Sequence, residues 1–281
     1  MPDSFRAAAP RRAGGIGSWT RLLLALTAAA CVRGAPAAVS RSALDDAFER
    51  QMFVDGAMRL PYRLHRPTPA SPEARHPLVL QLHGSGAIGT DNESQLGALA
   101  GTWLTGSPAF AGASAPFVVV PQVPLRSATY AADPEDGLPA SSATPALAAI
   151  LRLVDSLTRA LPVDPARIYV IGFSMGGSAA WNALLAAPRT VAAAVIIAGV
   201  PPRRARGAEL GAVPVLVLHS AADPENPFEA TRAMVDRICR DAGKSCRVHL
   251  RRYEALGHEI PPDVLLDDWW QRWLFERARR I

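Results

Sequence analysis

The sequence predicts an α/β fold: an open, mostly parallel sheet with helices on both faces, preceded by a β-hairpin. Three observations carry this reading. From His76 onward, short apolar runs alternate with longer segments of helical period, the pattern of buried strands joined by crossover helices. Arg167 to Pro188 reads as a strand, a glycine-rich turn and a helix in direct succession. Gly199 to Ala212, after the following strand, is a short Pro/Arg-rich loop, so no helical lid domain is expected there. No internal repeat and no second domain interrupt the order.

The elements follow in turn. Two strands are expected around Phe48–Val54 and Ala57–Arg66, joined at Asp55-Gly56, a strong hairpin signal. Residues 67–77 are a Pro/Ser linker. Pro77 to His83 is a buried strand ending in Gly84-Ser85-Gly86. Glu93 to Trp103 reads as a helix, Phe117 to Val120 as a strand and Pro124 to Ser142 as a loop. Thr144 to Leu161 sets Leu147, Ile150, Leu151, Val154 and Leu157 on one face of an amphipathic helix. Ile168 to Ile171 is the central strand, and Ala179, Ala180, Ala183, Leu184 and Ala187 recur at helical spacing as far as Pro188. Strands are expected again at Val191–Ala198, Val213–His219 and Cys246–Tyr253. Helices are expected at Pro227–Asp241 and Val264–Arg279.

The central turn is Gly172-Phe173-Ser174-Met175-Gly176-Gly177. A G-x-S-x-G between strand and helix is the setting of a nucleophile elbow. Gly172 and Gly176 remove Cβ atoms that a turn this sharp would bring into collision, and Gly177 lets the helix approach the strand. Ser174 would then present its hydroxyl at the tip. The Met175 N–H stands at a helix N-terminus, where developing negative charge is stabilised. A second donor is expected in the loop after His83: the Ser85 N–H, with Gly84 beside it. His83 itself reads as structural. The general base is expected at His258, the last histidine, on a loop beyond the last strand. His65, His76, His219 and His249 are its rivals, with His219 read as structural. The acid is expected at Asp223, with Glu225 the alternative. Nucleophile, acid and base thus come in the order that this architecture uses. The candidate site would be open, or flanked by the long loops at 104–116 and 124–143.

Lys244 is the one lysine, so the net charge of +5 is carried by arginine. The arginines are scattered, without a basic stripe interleaved with aromatics, which argues against a nucleic-acid partner. No metal site, metal cofactor or organic cofactor is expected. Residues 1–37 read as a signal peptide: Arg6, Arg11, Arg12 and Arg21 precede the apolar run Leu22–Val32, and Ala35-Pro36-Ala37 offers a cleavage site. Residues 38–281 would form the mature domain, secreted or periplasmic. Lipid attachment at Cys31 is an alternative fate of the leader. No stable membrane span is expected. Cys239 and Cys246 remain after cleavage, an even pair placed to close a short loop as a disulfide in an oxidising compartment.

The chain resembles the α/β-hydrolase superfamily from about Leu60 to its end. More narrowly it resembles secreted bacterial esterases of the predicted-peptidase and phospholipase/carboxylesterase-like group, and more distantly polyhydroxybutyrate depolymerases and feruloyl esterases. Leu60 to Leu64, Leu82 to Gly86, Gly89-Thr90-Asp91-Asn92, Val120-Pro121-Gln122, Asp164 to Tyr169, Gly172 to Gly177 with Trp181, and Gly257-His258 carry the likeness. Gln122-Val123-Pro124 stands where the group has Gln-Cys-Pro, and His219-Ser220 where it has His-Gly. These departures bear on the substrate pocket more than on the triad. The resemblance implies an α/β-hydrolase fold and a Ser174–Asp223–His258 triad acting on a small-molecule or polymeric ester through an acyl-enzyme. A serine peptidase with the same triad, and a non-catalytic binding protein on the same fold, are the competing readings.

Overall fold

A computed structural model describes residues 39–67, 73–105, 115–203 and 210–279. The expected leader, Cys31 and the expected cleavage site lie outside the described residues, as do residues 106–114 and 204–209 within two of the expected loops. The frame is an eight-stranded sheet in the order β1-β2-β4-β3-β7-β8-β9-β10. Its strands are β1 (Glu49–Asp55), β2 (Met58–His65), β3 (His76–Leu82), β4 (Phe117–Pro121), β7 (Val163–Phe173), β8 (Ala193–Ile197), β9 (Val215–Ser220) and β10 (Val248–Tyr253). β2 pairs antiparallel with both β1 and β4, and every pairing from β4 to β10 is parallel. The hairpin closes where Asp55-Gly56 predicts, with Gly56 at φ 59°.

Alternation along each strand divides the core into two layers. Leu78, Leu80, Val170, Ala194, Val215 and Val217 face one side. There they meet α3 (Pro145–Ala160), α4 (Met175–Ala186) and α5 (Phe228–Ala242) through Leu147, Ile150, Ala180, Leu184, Met234 and Ile238. Val79, Tyr169, Ile171, Val195, Leu216 and Leu218 face the other side. They meet α1 (Arg41–Ala47), α2 (Gly97–Gly101), α6 (Pro262–Leu266) and α7 (Trp269–Phe275) through Leu44, Leu99, Val264, Trp270 and Leu274. The parallel strands therefore aim their C-terminal ends at one edge, where loops gather.

Four segments differ from the sequence-based expectation. The 124–142 loop holds a hairpin, β5 (Ala128–Ala132) paired with β6 (Pro139–Ala143). It lacks an apolar face. Instead the Asp133 carboxylate accepts from the Glu135 N–H, Gly137 turns at φ 72°, and Ser141 N–H reaches Pro201 O at 2.8 Å. Helix α2 covers only the end of the expected 93–103 segment, because Gly97 adopts φ 51° and breaks continuity with the preceding turn. The closing helix is two helices. Asp267 is extended between them, and its Oδ1 accepts from the N–H groups of Asp268 and Trp269, a local competitor of the helical bond. Helix α1 was not expected. Ser40 caps it, Oγ accepting from Ala43 N–H at 3.2 Å, but one buried residue, Leu44, anchors its seven residues.

Cys239 at the end of α5 and Cys246 before β10 are joined as a disulfide across the turn at Gly243. Among the described residues no helix is long and apolar enough to cross a membrane. A loop this short still restricts the unfolded chain, so replacing both cysteines by serine should cost about 2–3 kcal/mol. Thermal unfolding should fall by roughly 5–10 °C, and reductant should shift wild type but not the variant. Equal melting temperatures for the two proteins would remove the disulfide from the stability account.

Candidate active site

β7 passes into α4 through one residue. Ser174 takes φ 56° and ψ −120°, a conformation that costs an L-residue roughly 1–3 kcal/mol. Close packing leaves no alternative. A Cβ on Gly172 would lie 2.1 Å from Gly176 O, and one on Gly176 would lie 2.1 Å from Leu82 O. Gly177 and Gly199 meet face to face, a Cβ on Gly199 falling 2.4 Å from the Gly177 carbonyl carbon. The Gly199 requirement escaped the sequence reading, because its partner is across the sheet. Ser174 N–H donates to Ile197 O at 2.9 Å, and Ser174 O accepts from the Ser178 N–H and hydroxyl.

Ser174 Oγ lies 2.7 Å from His258 Nε2, and His258 Nδ1 lies 2.8 Å from Asp223 Oδ2. A carboxylate only accepts, so Nδ1 carries the proton and Nε2 is free to accept from the serine hydroxyl. Asp223 is buried. Its Oδ1 accepts the N–H groups of Glu225 and Asn226, both at 2.9 Å. Those bonds fix the carboxylate with Oδ2 turned to the imidazole. Glu225 is exposed and lies 3.6 Å from Nε2, on the serine side of the ring, so the structure puts Asp223 and not Glu225 at the orienting nitrogen. The Phe173 ring supports His258, their centroids 5.1 Å apart.

His219 stands behind Asp223. Its Nε2 is 2.9 Å from Asn226 O and 3.3 Å from Asp223 Oδ2, and its Nδ1 faces Thr231 Oγ1 at 2.8 Å. Two acceptors at Nε2 place the proton there. Burial pushes the His219 pKa down, which keeps the ring neutral. The remaining rivals lie elsewhere: His65 bonds Ala47 O, His76 bonds Ala115 O, and His249 sits within β10.

The first residues of a helix and of a 3-10 turn have N–H groups without intrahelical acceptors. Met175 opens α4 and Ser85 opens the 3-10 turn Ser85–Ala87. Gly84 brings that turn to Ser174: a Cβ on Gly84 would lie 3.6 Å from Ser174 Cβ. His83 holds the turn from below. Nε2 accepts from Val123 N–H at 3.2 Å and Nδ1 donates to Gly84 O at 2.7 Å, while burial lowers its pKa.

The loop beyond the turn is pinned by residues whose part the sequence did not reveal. Gln122 Nε2 donates to Ala87 O and Asp91 Oδ1, and its Oε1 accepts from Asn92 N–H. Asn92, at φ 56°, donates to Gln51 O and Tyr62 O. The buried Arg63 guanidinium spans Asn92 O and Phe48 O at 2.6 Å each and pairs with Asp45. On the other flank, Tyr130 of the β5–β6 hairpin donates to Ser178 Oγ at 3.3 Å, and Asn182 donates to Ser141 Oγ at 2.8 Å. Among the described residues no cluster of histidine, cysteine and carboxylates could hold a metal ion.

Known proteins show the same arrangement of fold. A family model described as phospholipase/carboxylesterase matches residues 134–267. NocK of Nocardia uniformis subsp. tsuyamanensis, which bears an esterase name, is 34% identical over 183 residues, 64% of this chain and 49% of that protein. A probable carboxylesterase of Oryza sativa subsp. japonica is 29% identical over 220 residues, 71% of this chain and 87% of that protein. A solved thermostable esterase superposes with a TM-score of 0.72 at 28% identity, over 84% of this chain and 64% of that one. The match thus spans about half of NocK and under two thirds of the thermostable esterase. The chain has the α/β-hydrolase fold. Among proteins of this fold it resembles the phospholipase/carboxylesterase family and the carboxylesterases.

Asp91 supplies a pH test of the pinned loop. The Ser94 N–H, followed by the Ser94 hydroxyl, the Glu93 N–H and the Gln122 amide, holds its carboxyl at about 2 despite partial desolvation. Unfolded, it titrates near ~4. Its stabilisation is therefore complete above about pH 4, fades between about pH 4 and 2, and is gone below. The stability gap between wild type and Asp91→Asn should be constant near neutrality and close through that window. A gap that persists unchanged at pH 2 would contradict the assignment.

Proposed function

We propose that the protein is a serine hydrolase that cleaves carboxylic esters. One observation carries the proposal: the continuous hydrogen-bonded chain from Ser174 through His258 to Asp223, mounted on the strained joint between β7 and α4. The esterase and carboxylesterase names of the relatives point the same way.

The steps follow from the atoms in place. Ser174 Oγ attacks the carbonyl carbon while its proton passes to His258 Nε2, and the carbonyl oxygen gains the negative charge between the Met175 and Ser85 N–H groups. The intermediate collapses, the bond to the alcohol oxygen breaks, and that oxygen takes the proton from Nε2. Asp223 stabilises the imidazolium in between and holds its orientation. Water then attacks the acyl-enzyme, giving its proton to Nε2. The acid leaves and the proton returns to Ser174 Oγ. No metal or organic cofactor takes part in this scheme.

A p-nitrophenyl ester series should be hydrolysed by the mature protein, and Ser174→Ala should lose roughly 10⁴-fold or more of kcat. Asp223→Asn should lose roughly 10⁴-fold with the fold intact. A fluorophosphonate should label Ser174. No turnover and no label would sink the esterase reading in favour of a binding protein; labelling without ester turnover would favour a peptidase.

Export belongs to the same proposal, supported by the basic leader, the apolar run and the Cys239–Cys246 bond. Expressed with its leader in a bacterial host, the protein should be recovered outside the cytoplasm with a new N-terminus near Ala38. Retention in the cytoplasm at full length would refute export.

A further inference from the structure

Beside Ser174 lies a cavity of about 260 Å³ that the scheme above leaves without a role. Its walls include Gly84 and Gly86 of the turn after β3, Ala98 and Leu99 of α2, Phe173, and Ile260. These walls are mostly carbon. Gln81, His83, Ser94 and Gln95 also line it. The Gln81 amide bonds Leu96 O and Trp103 Nε1, the His83 nitrogens bond Gly84 O and Val123 N–H, Ser94 Oγ donates to Asp91, and Gln95 Nε2 donates to Asn92 Oδ1. No carboxylate, lysine or arginine is among its lining residues.

Three of the walls are shared with the reaction centre. Gly84 packs against Ser174, and the Phe173 ring lies against the His258 ring. Ile260 follows His258 by two residues on the same loop. The cavity therefore stands on the His258 side of the serine, on the α2 face of the sheet. The β5–β6 hairpin stands on the α4 face.

That side has a chemical meaning. The bond that breaks joins the acyl carbon to the alcohol oxygen, and this oxygen must come within hydrogen-bond reach of His258 Nε2 to receive the proton. Whatever the oxygen carries is brought to the His258 side with it. We propose that this cavity receives the alcohol part of the ester and selects uncharged, apolar alcohols of benzyl size or larger over small ones. The inference rests on the esterase reading. A dry apolar cavity of about 150 Å³ takes a benzene ring, so about 260 Å³ has room for a benzyl group and more. A benzyl group has room in it, and a methyl group leaves it mostly empty.

The test uses two ester series on the mature protein. In one, acetate is fixed and the alcohol varies from methyl through butyl and benzyl to a naphthylmethyl group. In the other, methyl esters vary in the acid from acetate to octanoate. Two variants plug the cavity from opposite walls. A Cβ on Gly86 meets nothing within 4 Å, so Gly86→Leu can project into open space. Ala98→Phe, at an exposed position of α2, serves should the first variant misfold. Comparing each variant with wild type cancels the intrinsic reactivity of each leaving group.

The benzyl-to-methyl ratio of kcat/KM should fall by about tenfold or more in the plugged proteins, since a single methylene in an apolar pocket is worth about that much. The octanoate-to-acetate ratio should move less than about threefold. An unchanged alcohol ratio in a folded variant would overturn the proposal. So would collapse of the acyl ratio instead, which would place the acid chain in the cavity. If wild type turns over neither series and a fluorophosphonate leaves Ser174 unlabelled, the esterase reading itself has failed, and this inference falls with it.

Discussion

The backbone at Ser174 is held where an L-residue stays only under compulsion, and most of the molecule supplies the compulsion. The strand before it and the helix after it are each fixed by burial, β7 between β3 and β8, α4 against both strands. Between them the chain has one residue in which to turn. The turn closes only because Gly172, Gly176, Gly177 and Gly199 bring backbone to within a distance that any Cβ would block. Each contact engages a different element: Gly176 touches the end of β3, and Gly177 touches the segment after β8. Strain of roughly 1–3 kcal/mol at one residue is small beside the apolar surface buried by the two core layers. The packing wins, and the hydroxyl stands clear of its own strand.

The same constraint gathers the other groups. With β3 fixed beside β7, the turn at Gly84 has nowhere to lie but against Ser174, and His83 and Gln122 hold it there from the strand ends. With β9 and β10 fixed beyond β8, Asp223 and His258 arrive from separate loops. Asp223 is the more immobile of the two. Four donors converge on its carboxylate: two backbone N–H groups on Oδ1, and His258 and His219 on Oδ2. His219 reads from the sequence as structural, and its contacts are those of a brace: a ring donating toward the carboxylate that bonds His258 Nδ1.

How much of this was legible depends on the range of the interactions involved. The parallel sheet, the two glycines flanking Ser174 and the position of His258 follow from local pattern, because strand burial and a tight turn restrict residue type at the site itself. The choice between Asp223 and Glu225 does not. Both follow β9 by a few residues, and only the direction of each carboxylate around the His258 ring separates them. Gly199 and Gln122 act on partners far along the chain. The β5–β6 hairpin was missed for a related reason. It rests on polar contacts from Tyr130 and Ser141 to α4 and on a backbone bond to Pro201, none of which produces an apolar alternation.

That hairpin also shapes what an open site on this fold can be. Among the described residues no inserted helical lid follows β8, and the surfaces beside the serine are those already committed to holding it. On the α4 face the hairpin is bonded to Ser178, which in turn bonds the Ser174 carbonyl. On the α2 face the walls of the cavity are the turn beside Ser174, the residue preceding it, and the strap of His258. A substrate lying across Ser174 has one substituent toward each face. In the proposed reaction the alcohol oxygen approaches His258, which would direct the alcohol to the α2 face and the acid to the side bordered by the hairpin. On that proposal the parts that position the reacting groups would also measure the substrate, since Gly84 packs against Ser174 and Phe173 against His258.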